Sequence, residues 1–201
     1  MLAMQSDDAP VSPFVMLRSS HRRLEERLAS LEEAARSLGD PALVAGAIAE
    51  CESVLAFFGR SVARHEEDEE RSLFPRLAAF PELSPVIATL DAEHEEQRRL
   101  AEDLGAVVES LAYDPDARVL LGVTASLRAA YRRHIEREEN DLFPAAEKLL
   151  GPDNLAEMLR EMDARRGRSG GRGGGGGGGG GGRGGGGGGG GGGRRRGGES
   201  A

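Results

Sequence analysis

Apolar residues recur in this chain at alternating spacings of three and four, and that rhythm restricts it to helices that each bury one face. Phe14, Leu17, His21, Leu24, Leu28, Leu31, Ala35 and Leu38 form the first such seam. The second is Val44, Ile48, Cys51, Leu55, Phe58, Val62, His65 and Glu69, and the third Ile87, Leu90, His94, Gln97, Ala101, Leu104, Val108 and Leu111. Leu120, Thr124, Leu127, Tyr131, His134 and Glu138 make the fourth. Gly39 and Asp40 close the first helix, Pro41 suits the first turn of the next, and a Pro-rich connector runs from Pro75 to Pro85. Tyr113-Asp114-Pro115-Asp116 separates the last two seams, and a short amphipathic stretch, Asn154 to Met162, follows them. Long apolar/polar alternation is missing, so strands are not expected. The expected fold is all-α, an up-down-up-down four-helix bundle with a short C-terminal helix.

The seams end in residues that a core does not ordinarily accept. His21, His65, His94 and His134 are all the histidines of the chain, and each falls on a different seam. Residues 65–75 read HEEDEERSLFP and residues 134–144 read HIEREENDLFP, two copies of H-x-x-x-E-E-x-x-L-F-P. Each copy follows a helix with one inward histidine, so His21 with His65 and His94 with His134 form two halves. A His and a Glu four residues apart share a helix face, which lets His65 with Glu69 and His134 with Glu138 bind neighbouring ions or bridge them. Taken singly, a seam histidine is ordinarily a packed core residue, and a run such as Glu66 to Glu70 is ordinarily solvated surface. Glu69 and Glu138 decide the matter: a carboxylate on a buried stripe is costly unless it is paired or binds metal. Arg64, Arg71, Arg133 and Arg137 are the cations near enough in sequence to compete for them.

His21, His65-x-x-x-Glu69, His94 and His134-x-x-x-Glu138, with Leu73-Phe74-Pro75 and Leu142-Phe143-Pro144 after the two motifs, resemble the hemerythrin or HHE cation-binding domain family over residues 14–150. The resemblance implies an oxo- or hydroxo-bridged pair of Fe ions, with Mn as the other candidate metal, and Glu69 and Glu138 as the bridging carboxylates. Oxygen-carrying members use a fifth histidine one turn after the His94 position, where this chain has Arg98. Two six-coordinate ions offer about twelve positions, of which four imidazoles, two bridging carboxylates and a bridging oxygen fill about ten. Glu66 is the first candidate for an additional ligand, with Glu25 and Gln97 as the others. Phe74 and Phe143 are expected to pack and in addition to keep water from the ions. Tyr131 is placed either to donate a hydrogen bond to the bridge or bound ligand or simply to pack, the commoner role of a buried tyrosine. The Leu-Phe-Pro tripeptides are expected to end their helices, because a residue before proline disfavours helical geometry.

The implied function is binding of O2 or NO for storage, delivery or sensing. The alternatives are a diiron enzyme reducing NO or peroxide, where two adjacent metals act together, and an iron-handling or repair protein. The last is disfavoured because the chain lacks the Cys-containing companion region of some repair relatives. Cys51 is the single cysteine, which excludes an intrachain disulfide and a thiolate cage and points to a reducing, cytoplasmic setting. Asp7 and Asp8 stand where a secretory signal would begin with basic residues, and no apolar stretch is long enough for a membrane span.

Charge is divided along the chain. The overall charge is -8, but residues 164–201 carry eight arginines against Glu199, about +7, which leaves about -15 on the body. The expected organisation is a flexible segment 1–13, a hemerythrin-like domain 14–163 and a disordered Gly/Arg-rich tail 164–201. Spaced arginines without interleaved aromatics give RNA, DNA or an acidic partner only an electrostatic hold, so the preferred reading of the tail is inert or weakly electrostatic.

Overall fold

A computed structural model describes residues 12–167 of the chain. The expectations for the flexible N-terminal segment and the Gly/Arg-rich tail fall largely outside those residues. Within them the protein is all-helical. We label five helices: α1, Pro13–Ser37; α2, residues 44–77; α3, Ser84–Ser110; α4, residues 117–149; and α5, Pro152–Arg165. Among the described residues no helix is long and apolar enough to cross a membrane.

The connections follow local chemistry. Pro13 sits in the first turn of α1, where its missing N–H costs nothing. Pro41 does not open α2 as expected. Asp40 instead accepts a hydrogen bond from the Ala42 N–H at 2.9 Å, and this Asx turn delays the helix to Val44. Asp116 caps α4 by accepting from the Arg118 N–H at 2.8 Å.

The largest departure from expectation lies inside α2 and α4. Each contains π-helical turns, Phe58–Val62 and Glu69–Leu73 in α2 and Glu138–Leu142 in α4. The Phe74 N–H reaches the Glu69 carbonyl and the Phe143 N–H the Glu138 carbonyl, five residues back in both cases. The Leu-Phe-Pro tripeptides therefore do not end their helices: α2 continues through Pro75 to Leu77, and α4 through Pro144 to Leu149. A wide turn restarts the hydrogen-bond ladder just before the proline. Pro75 and Pro144 then occupy first-turn positions, where an N–H is dispensable.

The four long helices pack in a closed ring, α1 on α2, α2 on α3, α3 on α4 and α4 on α1. Their apolar seams build two clusters. One holds Leu24, Leu28 and Leu31 with Val62, Leu104, Leu127 and Tyr131. The other holds Phe14 and Leu17 with Leu73, Phe74, Leu90, Leu142 and Phe143. The histidines and glutamates of the motifs lie on each helix between residues of the two clusters, so a polar layer divides the core. Helices α1 and α3 run from the Phe14 cluster toward the Leu28 cluster, and α2 and α4 return. Cys51 lies wholly inside the Leu28 cluster, where burial, followed by the charge of Glu50, pushes its thiol up to about 11. It is an inert core residue.

Helix α5 extends three residues past the expected Met162 and closes the Phe14 end with Met158 and Met162. Its last turn carries a buried ion-pair network. Asp68 is fully buried and accepts from Arg165 Nε at 2.7 Å and from the Arg166 guanidinium. Glu161 joins the same network through Arg76 at 2.8 Å and through the Ser72 hydroxyl. Arg165 and Arg166, expected in the tail, thus belong to the folded body.

Candidate metal centre

The polar layer is assembled by four helices, and every predicted primary residue reaches it. His21, His65, His94, His134, Glu69 and Glu138 are each at most 5% exposed. One side-chain atom from each of His21, His65, Glu69 and Glu138 lies within 4.8 Å of the others, and Glu69, His94 and His134 form a second such group. Glu69 belongs to both. Its Oε1 is 3.3 Å from His65 Nε2 and its Oε2 3.4 Å from His94 Nε2. Glu138 Oε2 is 3.0 Å from His21 Nε2 and 3.5 Å from His134 Nε2. The two halves read from the sequence are therefore interlocked: each motif glutamate faces its own histidine and the lone histidine of the other half.

Without a cation this arrangement is electrostatically unsatisfied. Both carboxylate oxygens of Glu69 and of Glu138, and His94 Nε2, are buried with no hydrogen-bond partner among the described residues. Burial, and after it the neighbouring Glu138, hold the Glu69 carboxyl well above the usual carboxylate range. Burial pushes Glu138 the same way, but His134 and His21 outweigh it and hold that carboxyl at about 2. His65 is pushed well down by burial and then by His21, and His94 down to about 4 by burial and then by His134. His21 goes the other way, because Glu138 and Glu139 together overcome its desolvation. Imidazole nitrogens and orphaned carboxylate oxygens crowded in one buried layer are the donor set of a divalent or trivalent transition ion.

A set of orienting contacts surrounds these donors. Glu139, next to Glu138, bonds His21 Nδ1 at 2.7 Å, and Glu70, next to Glu69, bonds His94 Nδ1 at 2.9 Å. Glu93 bonds His134 Nδ1 at 3.3 Å and is itself paired with Arg137. A carboxylate on Nδ1 fixes the ring and turns Nε2 toward the layer's centre. Sequence reasoning passed over Glu70 and Glu139. The signal was present in the Glu-Glu dipeptide of both motif copies, whose first glutamate points in and whose second reaches across.

The remaining predicted residues divide. Phe143 stacks on His21 (centroids 5.7 Å apart, 8° between planes) and Phe74 on His94 (6.0 Å, 17°), so both cover an imidazole face. Gln97 is 1% exposed, and neither atom of its amide has a partner among the described residues. Glu66 is buried but does not join the converging groups. Arg98, standing where a fifth histidine would, holds its Oε2 at 2.7 Å. Burial, against the pull of Arg98, still pushes Glu66 up to about 7. Glu25 is exposed and lines an outer groove with Leu28 and Tyr131, because the buried stripe of α1 turns toward Leu24. Tyr131 is buried with its ring 5.8 Å from Phe58, as a packing residue of the Leu28 cluster.

A ring of helices around a buried layer of four histidines and two carboxylates is the architecture of a cation-binding helical protein. Residues 12–146 match the hemerythrin HHE cation binding domain, and the chain belongs to that family. It is also similar to an uncharacterized protein of Haemophilus influenzae (strain ATCC 51907 / DSM 11121 / KW20 / Rd), 27% identical over 155 residues that cover 77% of this chain and 90% of that protein.

Proposed function

We propose that the protein is an up-down-up-down four-helix bundle holding two Fe ions, with Mn as the other candidate, and that the loaded centre binds O2 or NO for storage, delivery or sensing. The observation that carries this reading is Glu69, whose two oxygens face histidines on different helices, His65 and His94, and so stand ready to bridge two ions. His21 and His65 would serve one ion and His94 and His134 the other, with Glu138 as the second bridge. When bound, the iron pair supplies redox-active Lewis-acid positions for a small ligand.

The chain's own residues do the rest. Glu70, Glu93 and Glu139 orient imidazoles, while Phe74 and Phe143 close over two of them. Every donor residue is at most 5% exposed, which suits a small ligand better than a bulky substrate. Gln97, buried with a free amide, is the side chain best placed by its environment to complete the donor set or to hydrogen-bond a bound ligand. Glu66 is the weaker choice because Arg98 already engages it.

Anaerobic reduction of iron-loaded protein followed by exposure to O2 or NO tests the proposal. A new near-ultraviolet or visible band, formed stoichiometrically and reversed on removing the ligand, is the expected result. Repeated consumption of NO or peroxide with added reductant would instead identify an enzyme, and iron-containing protein with no spectral response would reject both.

A further inference from the structure

On this acidic body one groove gathers four arginines and four serines. It lies along α1 and α2, measures about 850 Å3, and is bordered by Arg23, Arg27, Arg64 and Arg166, with Glu26 its only acidic lining residue among the described residues. Two of these cations are already engaged: Arg166 by Asp68, and Arg27 by Glu50 at 3.4 Å. Arg23 and Arg64 have no carboxylate within 4.0 Å among the described residues. Among the described residues the one side-chain hydrogen bond of Arg23 goes to the Ser20 hydroxyl at 3.0 Å. Two guanidiniums left without counter-ions in one groove, on a folded body (residues 12–167) carrying about eleven excess negative charges, mark a place for an external anion.

The groove narrows inward to a cleft of about 10 Å3, which shares Ser20, Arg23, Phe57 and Ser61 with it and ends at His65. That space admits about one oxygen atom. His65 is 5% exposed; its Nε2 is taken up with Glu69 and His21, and its Nδ1 is buried with no partner. The other three histidines have a carboxylate on Nδ1, so His65 alone lacks its orienting acceptor.

We propose that this groove binds a phosphate monoester, with the phosphoryl group on Arg23 and Arg64 beside the Ser20 and Ser61 hydroxyls and the apolar part of the molecule along Met16 and Phe57. Two free guanidinium charges match a phosphoryl group of charge near -2, and the groove has the size of a small-molecule site. One phosphoryl oxygen enters the cleft and accepts from His65 Nδ1–H. This last contact rests on the reading that His65 Nε2 faces the metal, and it makes occupancy of the groove a determinant of His65 orientation, as Glu70, Glu93 and Glu139 are for the other rings.

Calorimetric titration of the full-length chain, metal-free and metal-loaded, with phenyl phosphate and with inorganic phosphate tests the site. The expected result is saturable one-to-one binding, tighter for phenyl phosphate. Arg23→Gln combined with Arg64→Gln weakens it about tenfold or more, whereas Arg99→Gln on α3 leaves it unchanged. In the metal-free chain, binding shifts the side-chain NMR signal of His65 and not that of His134. Absence of saturable binding, or equal affinity in the double variant, would overturn the proposal. So would binding that appears only after removal of residues 1–11, since the chain's own leading segment with Asp7 and Asp8 would then be the occupant. Titration of the metal-free chain does not depend on which metal the centre holds, so failure here and failure of the iron reading are separable.

Discussion

Replacing Glu69 with glutamine is expected to reduce bound iron from the proposed two ions per chain to one or none while leaving the metal-free protein as stable as the parent or more so. The two effects have one origin. Glu69 is fully buried, both of its oxygens lack partners, and burial together with Glu138 raises its carboxyl well above the usual range. A group whose folded-state pKa is raised favours folding most when protonated. That contribution is complete below the unfolded value near 4.5 and is lost as pH rises through the folded value. At neutral pH the parent chain therefore carries a penalty that glutamine removes, and the stability difference between variant and parent should widen as pH rises from 5 to 8. The same substitution deletes the one side chain common to both groups of converging donors. Urea denaturation of the metal-free proteins across that range, with metal analysis of the loaded ones, reads both effects. A variant that keeps two ions, or one that is markedly destabilised without metal, would contradict the assignment.

Asp68→Ala should have the opposite signature, a large loss of stability with the metal donors intact. Asp68 is fully buried and receives Arg165 and Arg166, both of which are themselves largely buried. Breaking a buried pair by removing one partner costs about 3 to 5 kcal/mol, because the other charge stays desolvated. Here α5 offers a route to partial relief, since its last turn can leave the body and carry both guanidiniums to water. Denaturant titration should show the loss, with the amides of α5 exchanging first. A change below about 1 kcal/mol would mean that the network contributes nothing net, as exposed pairs commonly do.

The contrast between these two acids shows what the sequence discloses. Glu69 and Glu138 were legible because they extend an apolar seam, and a carboxylate in register with Val62 and His65 must be buried. Asp68 was not, because it sits within Glu66 to Glu70, a run whose bland reading is solvated surface, and its partners lie about a hundred residues away on α5. The histidines were legible for the same reason as Glu69, as were Phe74 and Phe143, which the repeat carried along. The π turns were hidden because one extra residue in a turn leaves a three-and-four pattern looking intact. Their consequence, a helix that runs through proline, contradicts the local rule that each Leu-Phe-Pro would stop it. The wide turns begin at Glu69 and at Glu138, the two carboxylates of the polar layer, and such turns are often found at functional sites. Glu25 is exposed because four residues on from His21 is the edge of the buried stripe and not its centre.

The proposed sharing of a pair of ions by four imidazoles and two carboxylates is tested most directly by Mössbauer spectroscopy of full-length protein reconstituted anaerobically with 57Fe, combined with iron and protein quantitation. The expected result is two iron ions per chain which, after oxidation, form a single spin-coupled pair. One ion per chain, two uncoupled ions, or protein that retains no iron would contradict it.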